Sequence, residues 1–128
     1  MLKVATIPGK GRGILANQAI AAGTLIERAP AARMPSEERH LIDQTDVFTY
    51  YFADPGSYAR KGQYDCLLAF GLSSLCNHAE KPNAEVSWTD DSVGLWASLI
   101  ALEDIGPDQE VTVFYTNITE YESYDLFI

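Results

Sequence analysis

Three clusters in this 128-residue chain combine residue types that do chemistry. The first is Gly9-Lys10-Gly11-Arg12-Gly13, whose alternating glycines permit positive φ and let backbone N–H groups come close to a ligand. No helix is expected to follow it, so it is not a dinucleotide phosphate loop, and alone it reads first as a glycine turn. The second is Ser73-Ser74-Leu75-Cys76-Asn77-His78-Ala79-Glu80-Lys81-Pro82-Asn83, with Asn77 and His78 side by side. Its amide and imidazole offer donors and acceptors, Pro82 fixes φ, and Asn83 can close a turn on its own backbone. By residue type His78 is a hydrogen-bonded structural histidine before it is a ligand, and no second His or Cys stands at zinc spacing. The third cluster runs from Asp108 to Tyr115 and ends in a phenol, which by itself signals core packing.

The elements that must position these clusters are short. Strands are expected at Leu2–Ile7, Gly13–Ala16, Thr24–Glu27, Val47–Phe52, Asp65–Phe70, Glu85–Thr89, Leu95–Leu102 and Glu110–Tyr115, from β-branched and aromatic content and from alternation. One helix is expected over Ser36–Asp46, with Ser36 as its cap and Glu37 and Glu38 in the first turn. Asp54-Pro55-Gly56-Ser57 reads as a turn followed by a polar loop to Gln63, with further turns at Asp90-Asp91 and Gly106-Pro107. Many short strands with regular turns predict a mostly β fold in a single domain.

Composition narrows the function. The net charge of −9 argues against direct nucleic-acid binding, which needs a basic face. It suits a basic partner, or it serves solubility alone. No apolar run is long enough for a membrane span, and the N-terminus has no secretory pattern, so a cytoplasmic protein is expected, with a nuclear or host-exported destination open. Cys66 and Cys76 are then reduced thiols, and the Asn117-Ile118-Thr119 sequon is chance.

Taken together and in this order, the clusters resemble the SET-domain protein-lysine methyltransferases. Lys10-Gly11-Arg12-Gly13 matches the family's GxG loop, Asn77-His78 with Pro82-Asn83 its central motif, and Glu110 to Tyr115 the strand that ends in its tyrosine. The likeness spans about residues 3–115, leaving 116–128 as a tail or lid, and the size is that of minimal viral and bacterial members without flanking zinc-binding modules. Departures are Ala79 for the usual serine, Asp108-Gln109-Glu110 for Gly-Glu-Glu, Phe114 for a frequent aspartate, and the residues after Tyr115.

The resemblance implies a β-clip of small sheets with a C-terminal pseudoknot, over 1–128 as one domain. It implies S-adenosylmethionine held by Lys10, Gly11, Arg12, Gly13, Asn77 and the backbone of His78, with S-adenosylhomocysteine as product. Tyr115 is the expected catalytic hydroxyl, in a positioning role. The lysine channel would be lined by one of Tyr50 and Tyr51, since adjacent strand residues face opposite ways, with Tyr50 preferred, and by Tyr121 from a closing tail, Tyr121-Glu122-Ser123-Tyr124. The implied partner is a lysine-containing basic protein or peptide, a homodimer could complete the substrate groove, and no metal is required. The alternative is a SET-like module that binds cofactor or basic peptide with little turnover.

Overall fold

The computed structural model describes residues 1–61 and 63–121, with side chains except at 59–61. In chain order the elements are β1 (Leu2–Ile7), β2 (Gly11–Ala16), β3 (Leu25–Met34), α1 (Arg39–Ile42), β4 (Phe52–Ala53), α2 (Pro55–Lys61), β5 (Cys66–Ala69), β6 (Asn77–His78), β7 (Ala84–Asp91), β8 (Gly94–Ala101) and β9 (Thr112–Val113). Strands pair into three sheets: the β1–β2 hairpin, a five-stranded sheet in the order β4-β5-β3-β8-β7, and the parallel pair β6–β9. The mostly β expectation holds.

The five-stranded sheet is antiparallel throughout, and β8, an interior strand between β3 and β7, buries Leu95, Ala97, Leu99 and Ala101 at alternate positions. That period of two puts one face on the main core, with Ile14, Ile20, Ile105, Val111 and Val113 packed against it. The β7–β8 turn is Ser92-Val93, two residues later than the expected Asp90-Asp91, and Asp91 accepts from the Val93 and Gly94 N–H groups there. Cys66 and Cys76 are both buried free thiols. Among the described residues no helix is long and apolar enough to cross a membrane.

The C-terminal segment is threaded between two earlier pieces of chain. On one side Asp108 N–H donates to Ala16 O (2.7 Å), Ala16 N–H to Gln109 O (2.9 Å) and Val111 N–H to Ile14 O (2.8 Å). On the other, Thr112 and Val113 pair with Asn77 and His78, and Ala79 N–H donates to Val113 O (2.9 Å). Asn83 locks the crossing: its Nδ2 donates to Glu110 O (2.8 Å) and its Oδ1 accepts from Thr112 N–H (2.9 Å), so one side chain mimics a neighbouring strand. The expected Glu110–Tyr115 strand is therefore a two-residue ladder, flanked by side-chain pairing and a bridge to Leu15.

The segment from Ser36 to Gln63 departs most from expectation. Ser36–Glu38 is a 3-10 turn, α1 is four residues long, and Ser36 caps nothing; its N–H donates to Asp65 Oδ1 (3.0 Å). Of the expected strand Val47–Phe52 only Phe52 is in a strand, at the start of β4. Asp46–Thr49 is a second 3-10 turn, because Thr45 Oγ1 accepts from Val47 N–H and Thr49 Oγ1 donates to Asp46 O. Local side-chain caps there outweigh the β propensity of Val47 and Phe48. Pro55, in the first turn of a helix where its missing N–H costs nothing, starts α2 in place of the expected polar loop. A second core of Tyr51, Ala53, Tyr64 and Cys66 sits beneath this segment.

Candidate active site

The threading brings the three clusters to one place. Gly9 and Gly11 both have φ of +77°, which turns the β1–β2 hairpin. Gly13 is needed for a different reason: a Cβ there would lie 2.6 Å from Asn77 Nδ2 and 2.6 Å from Ile7 Cγ1. The missing side chain is the space that Asn77 occupies. Asn77 Nδ2 donates to Glu110 Oε2 (2.9 Å) and, at 3.3 Å, to Arg12 O, while Lys10 Nζ pairs with Glu110 Oε1 at 3.3 Å. Glu110 thus ties the glycine loop to the central motif through its side chain. Sequence reasoning marked it only as the start of a strand; an acid heading that strand was the available signal.

His78 is fully buried, and its Nδ1 accepts the Tyr115 backbone N–H (2.8 Å). Burial holds the imidazole below its ordinary pKa, against the opposing pull of Glu80, whose carboxylate is 3.9 Å from Nε2. A neutral ring accepting at Nδ1 carries its proton on Nε2. The ring lies 4.9 Å from that of Phe114 and 5.4 Å from that of Tyr115. Tyr115 is held at its other end too, because its hydroxyl donates to Cys76 O (2.5 Å). Burial pushes this phenol far above its usual pKa, with Tyr121, Cys76 and Glu110 acting the same way. It stays protonated throughout the physiological range.

A cavity of about 260 Å³ opens beside this knot. Lys10 and Arg12 come from the glycine loop, Ser74, Leu75 and Asn77 from the central segment, Thr49 and Tyr50 from the 3-10 turn, and Tyr115 and Tyr121 from the C-terminal stretch. Of the residues singled out in the sequence, Lys10, Arg12, Asn77, Tyr50, Tyr115 and Tyr121 line it. Gly11, Gly13 and His78 do not line it: Gly11 is exposed in the hairpin turn, Gly13 makes room for Asn77, and His78 holds Tyr115 from behind. Tyr50 lines the cavity although it is not on a strand, and Tyr51 is buried in the second core instead. Of the expected tail, Tyr121 is placed and residues 122–124 lie outside the described residues. Thr49, Ser74 and Leu75 carried no expected role; Thr49 was hidden by the strand reading of its segment.

Threaded in this way, the chain is a β-clip protein with a polar and aromatic cavity at its knot. The SET-domain family model matches residues 11–116, and the chain belongs to that family, the protein-lysine methyltransferases. A Schizosaccharomyces pombe histone-lysine N-methyltransferase specific for H3 lysine-37 is 31% identical over 117 residues, covering 89% of this chain and 72% of that protein. Two solved structures share the fold. A candidate histone methyltransferase of Plasmodium falciparum superposes with a TM-score of 0.69 at 21% identity, covering 91% of this chain and 98% of that one. The Neurospora SET-domain protein DIM-5, a histone lysine methyltransferase, gives 0.66 at 23% identity, with 91% of this chain and 52% of that one covered.

Proposed function

We propose that this chain transfers a methyl group from S-adenosylmethionine to the ε-amine of a lysine in a basic protein segment, leaving S-adenosylhomocysteine. One observation carries the reading: two cations, the Asn77 amide and three phenols surround a single cavity at the knot. The donor's amino-acid end is zwitterionic, and its carboxylate suits Lys10 and Arg12 while Asn77 offers an amide to its ammonium. The volume is close to the roughly 300 Å³ at which small-molecule sites begin. Any side chain at position 13 would displace Asn77 from the wall, so the glycine fits this use as well.

When bound, the donor supplies an electrophilic methyl group on a cationic sulfur. The acceptor must arrive as a neutral amine. With a reference pKa of about 10.4, removing the lysine proton at pH 7 costs about 4.6 kcal/mol. Low-dielectric walls built from Tyr50, Leu75, Tyr115 and Tyr121 disfavour the ammonium, and the charges of Lys10 and Arg12 act in the same direction. The chain's net charge of −9 draws a basic segment in from a distance, where screening has not yet removed it.

Tyr115 positions the amine rather than deprotonating it. Its proton is committed to Cys76 O, so its oxygen offers lone pairs to an amine N–H or a polarised methyl C–H. His78 fixes the backbone end of the same residue. A phenol pinned at both ends suits alignment, which supplies much of the rate in a displacement.

Calorimetry with S-adenosylmethionine is expected to give saturable heat, and labelled donor to mark lysines in a panel of basic proteins. Tyr115→Phe is expected to lower kcat about 100-fold or more while leaving donor affinity within about twofold. Undiminished turnover in that variant removes Tyr115 from the chemistry, and the absence of heat with the wild type removes the donor.

A further inference from the structure

The stretch after Tyr115 is fastened to the 36–64 segment by a cluster that the methyl-transfer reading does not use. Glu120 accepts from Arg39 Nη2 (3.0 Å) through Oε1 and from the Tyr64 hydroxyl (2.5 Å) through Oε2. Arg39 also donates through Nε to Asp43 Oδ2 (3.2 Å), and its guanidinium lies 4.1 Å above the Tyr64 ring. The Tyr51 hydroxyl donates to Asp43 Oδ1 (2.8 Å) and sits 3.3 Å from the Tyr64 oxygen. Asn117, fully buried, donates to that same Tyr64 oxygen (3.2 Å). Two carboxylates, two buried phenols and one guanidinium therefore form a closed set, with a single residue of the C-terminal stretch, Glu120, supplying one of the carboxylates.

The next residue is Tyr121. Glu120 N–H donates to Asn117 O (3.0 Å) and Tyr121 N–H to Ile118 O (3.1 Å), so 117–121 moves as one 3-10 turn. Tyr121 is wedged between Phe48, at 5.0 Å between ring centres, and Tyr115, at 5.4 Å, with its hydroxyl directed to Phe48 O (3.3 Å). We propose that Glu120, gripped by Arg39 and Tyr64, is a positioning residue that sets Tyr121 against Tyr115 and so fixes the room beside the substrate amine. This rests on the cavity being the methyl-transfer site.

The physics favours a clasp over a decorative ion pair. Exposed pairs contribute little, because solvent screens them and the side chains lose freedom. Here the Tyr64 ring is fully buried, the Arg39 and Glu120 side chains are 26% and 30% exposed, and both bonds to the Glu120 carboxylate are charge-assisted, the one from Tyr64 part-buried. An amine that already carries a methyl needs more space than a bare one. A ring that shifts by a fraction of an ångström therefore changes how many methyl groups fit, without touching the donor.

The test uses Glu120→Gln, which keeps the shape and weakens the grip, and Tyr64→Phe, which removes the hydroxyl donor and keeps the ring under Arg39. Should one fail to fold, the other carries the same measurement. In folded variants the NMR ring-to-ring NOE between Tyr121 and Tyr115 is expected to weaken. The share of di- and trimethylated product is expected to rise severalfold by mass spectrometry, and KM for a lysine peptide about fivefold, with donor affinity unchanged. A wild-type NOE and a wild-type product ratio in both variants overturn the proposal. The ring contact is read without donor or substrate, so it judges the clasp separately. A wild-type protein that transfers no methyl group overturns the methyl-transfer reading and, with it, the clasp's effect on products.

Discussion

Around Tyr115 the fixing contacts run mostly from side chain to backbone: Asn83 to Glu110 and Thr112, His78 to Tyr115, Tyr115 to Cys76, with Asn77 and Lys10 on the Glu110 carboxylate as the side-chain pairs. Around Tyr64 they run from side chain to side chain, through Arg39, Asp43, Tyr51 and Glu120. A backbone group has a fixed place, so few residue types at one position can reach it. Side-chain pairs leave more choices, since either partner can change if the other follows. The knot is therefore built from motif residues, and the clasp region from residues that resemble ordinary aromatics and charges. The two regions meet where Tyr121 packs on Tyr115.

The sharpest way to break this contrast is at Gly13, where a Cβ would stand 2.6 Å from Asn77 Nδ2. Overpacking of this kind costs about 1–3 kcal/mol, and a buried amide pushed off its partners adds about 1–3 more. Gly13→Ala is thus expected to lose about 2 kcal/mol or more in urea unfolding and to weaken donor binding at least tenfold. Gly9→Ala serves as the control. Its Cβ meets nothing within 4 Å, so at φ +77° it pays only the backbone strain of about 1 kcal/mol. Equal losses in the two variants would mean that close approach to Asn77 is unimportant and that the hairpin turn alone explains the glycines.

The same division explains what the sequence could and could not reveal. Strands β1, β5, β7 and β8 follow alternation or apolar runs, and the knot follows from three spaced motifs. The 46–49 segment does not, because the deciding contacts are Thr45 with Val47 N–H and Thr49 with Asp46 O, and single hydroxyls leave no periodic trace. The helix from Pro55 was concealed by a Pro-Gly-Ser opening that looks like a turn. Six site residues that line the cavity were legible because motifs name them, while Thr49 depended on a turn that was not. The clasp left no pattern at all: Arg39, Tyr64 and Glu120 are far apart in the chain and acquire meaning only when the fold joins them.

His78 sharpens the comparison through pH. Its pKa is lowered in the folded protein from a reference of 6.5, so below about pH 6.5 the unfolded chain binds the extra proton first. Stability is therefore full above that value and declines as pH falls toward the folded pKa, beyond which this residue contributes no further change. Protonation of the folded protein also removes the Nδ1 acceptor of the Tyr115 N–H, so turnover should fall at the acid end of that window, around the folded pKa. His78→Asn keeps an acceptor oxygen near that position and cannot titrate. Its unfolding midpoint is expected to be flatter than the wild type's between pH 7.5 and 5.5. Parallel curves for the two proteins would place the proton elsewhere and weaken the idea that backbone-directed contacts govern the knot.

The smallest expected effect lies at the entrance to the threaded strand, where Asp108 has φ of 64°, a left-handed conformation that glycine adopts without strain. Its N–H is held by Ala16 O, so the backbone cannot relax. The side chain pairs with Lys3 at the surface, but both partners are substantially exposed, and such pairs contribute about 0–1 kcal/mol. Asp108→Gly removes about 1 kcal/mol of backbone strain. It also forfeits the weak pair and makes the unfolded chain more flexible, terms of about 0–1 and about 0.4–1 kcal/mol, so the net change should lie within about 0.5 kcal/mol of zero. A urea midpoint almost unchanged, and unmoved by a further Lys3→Ala change, is the expected result. A clear loss of stability would show that the Lys3 contact outweighs the backbone geometry, making this corner of the knot depend on side-chain pairing as the clasp does.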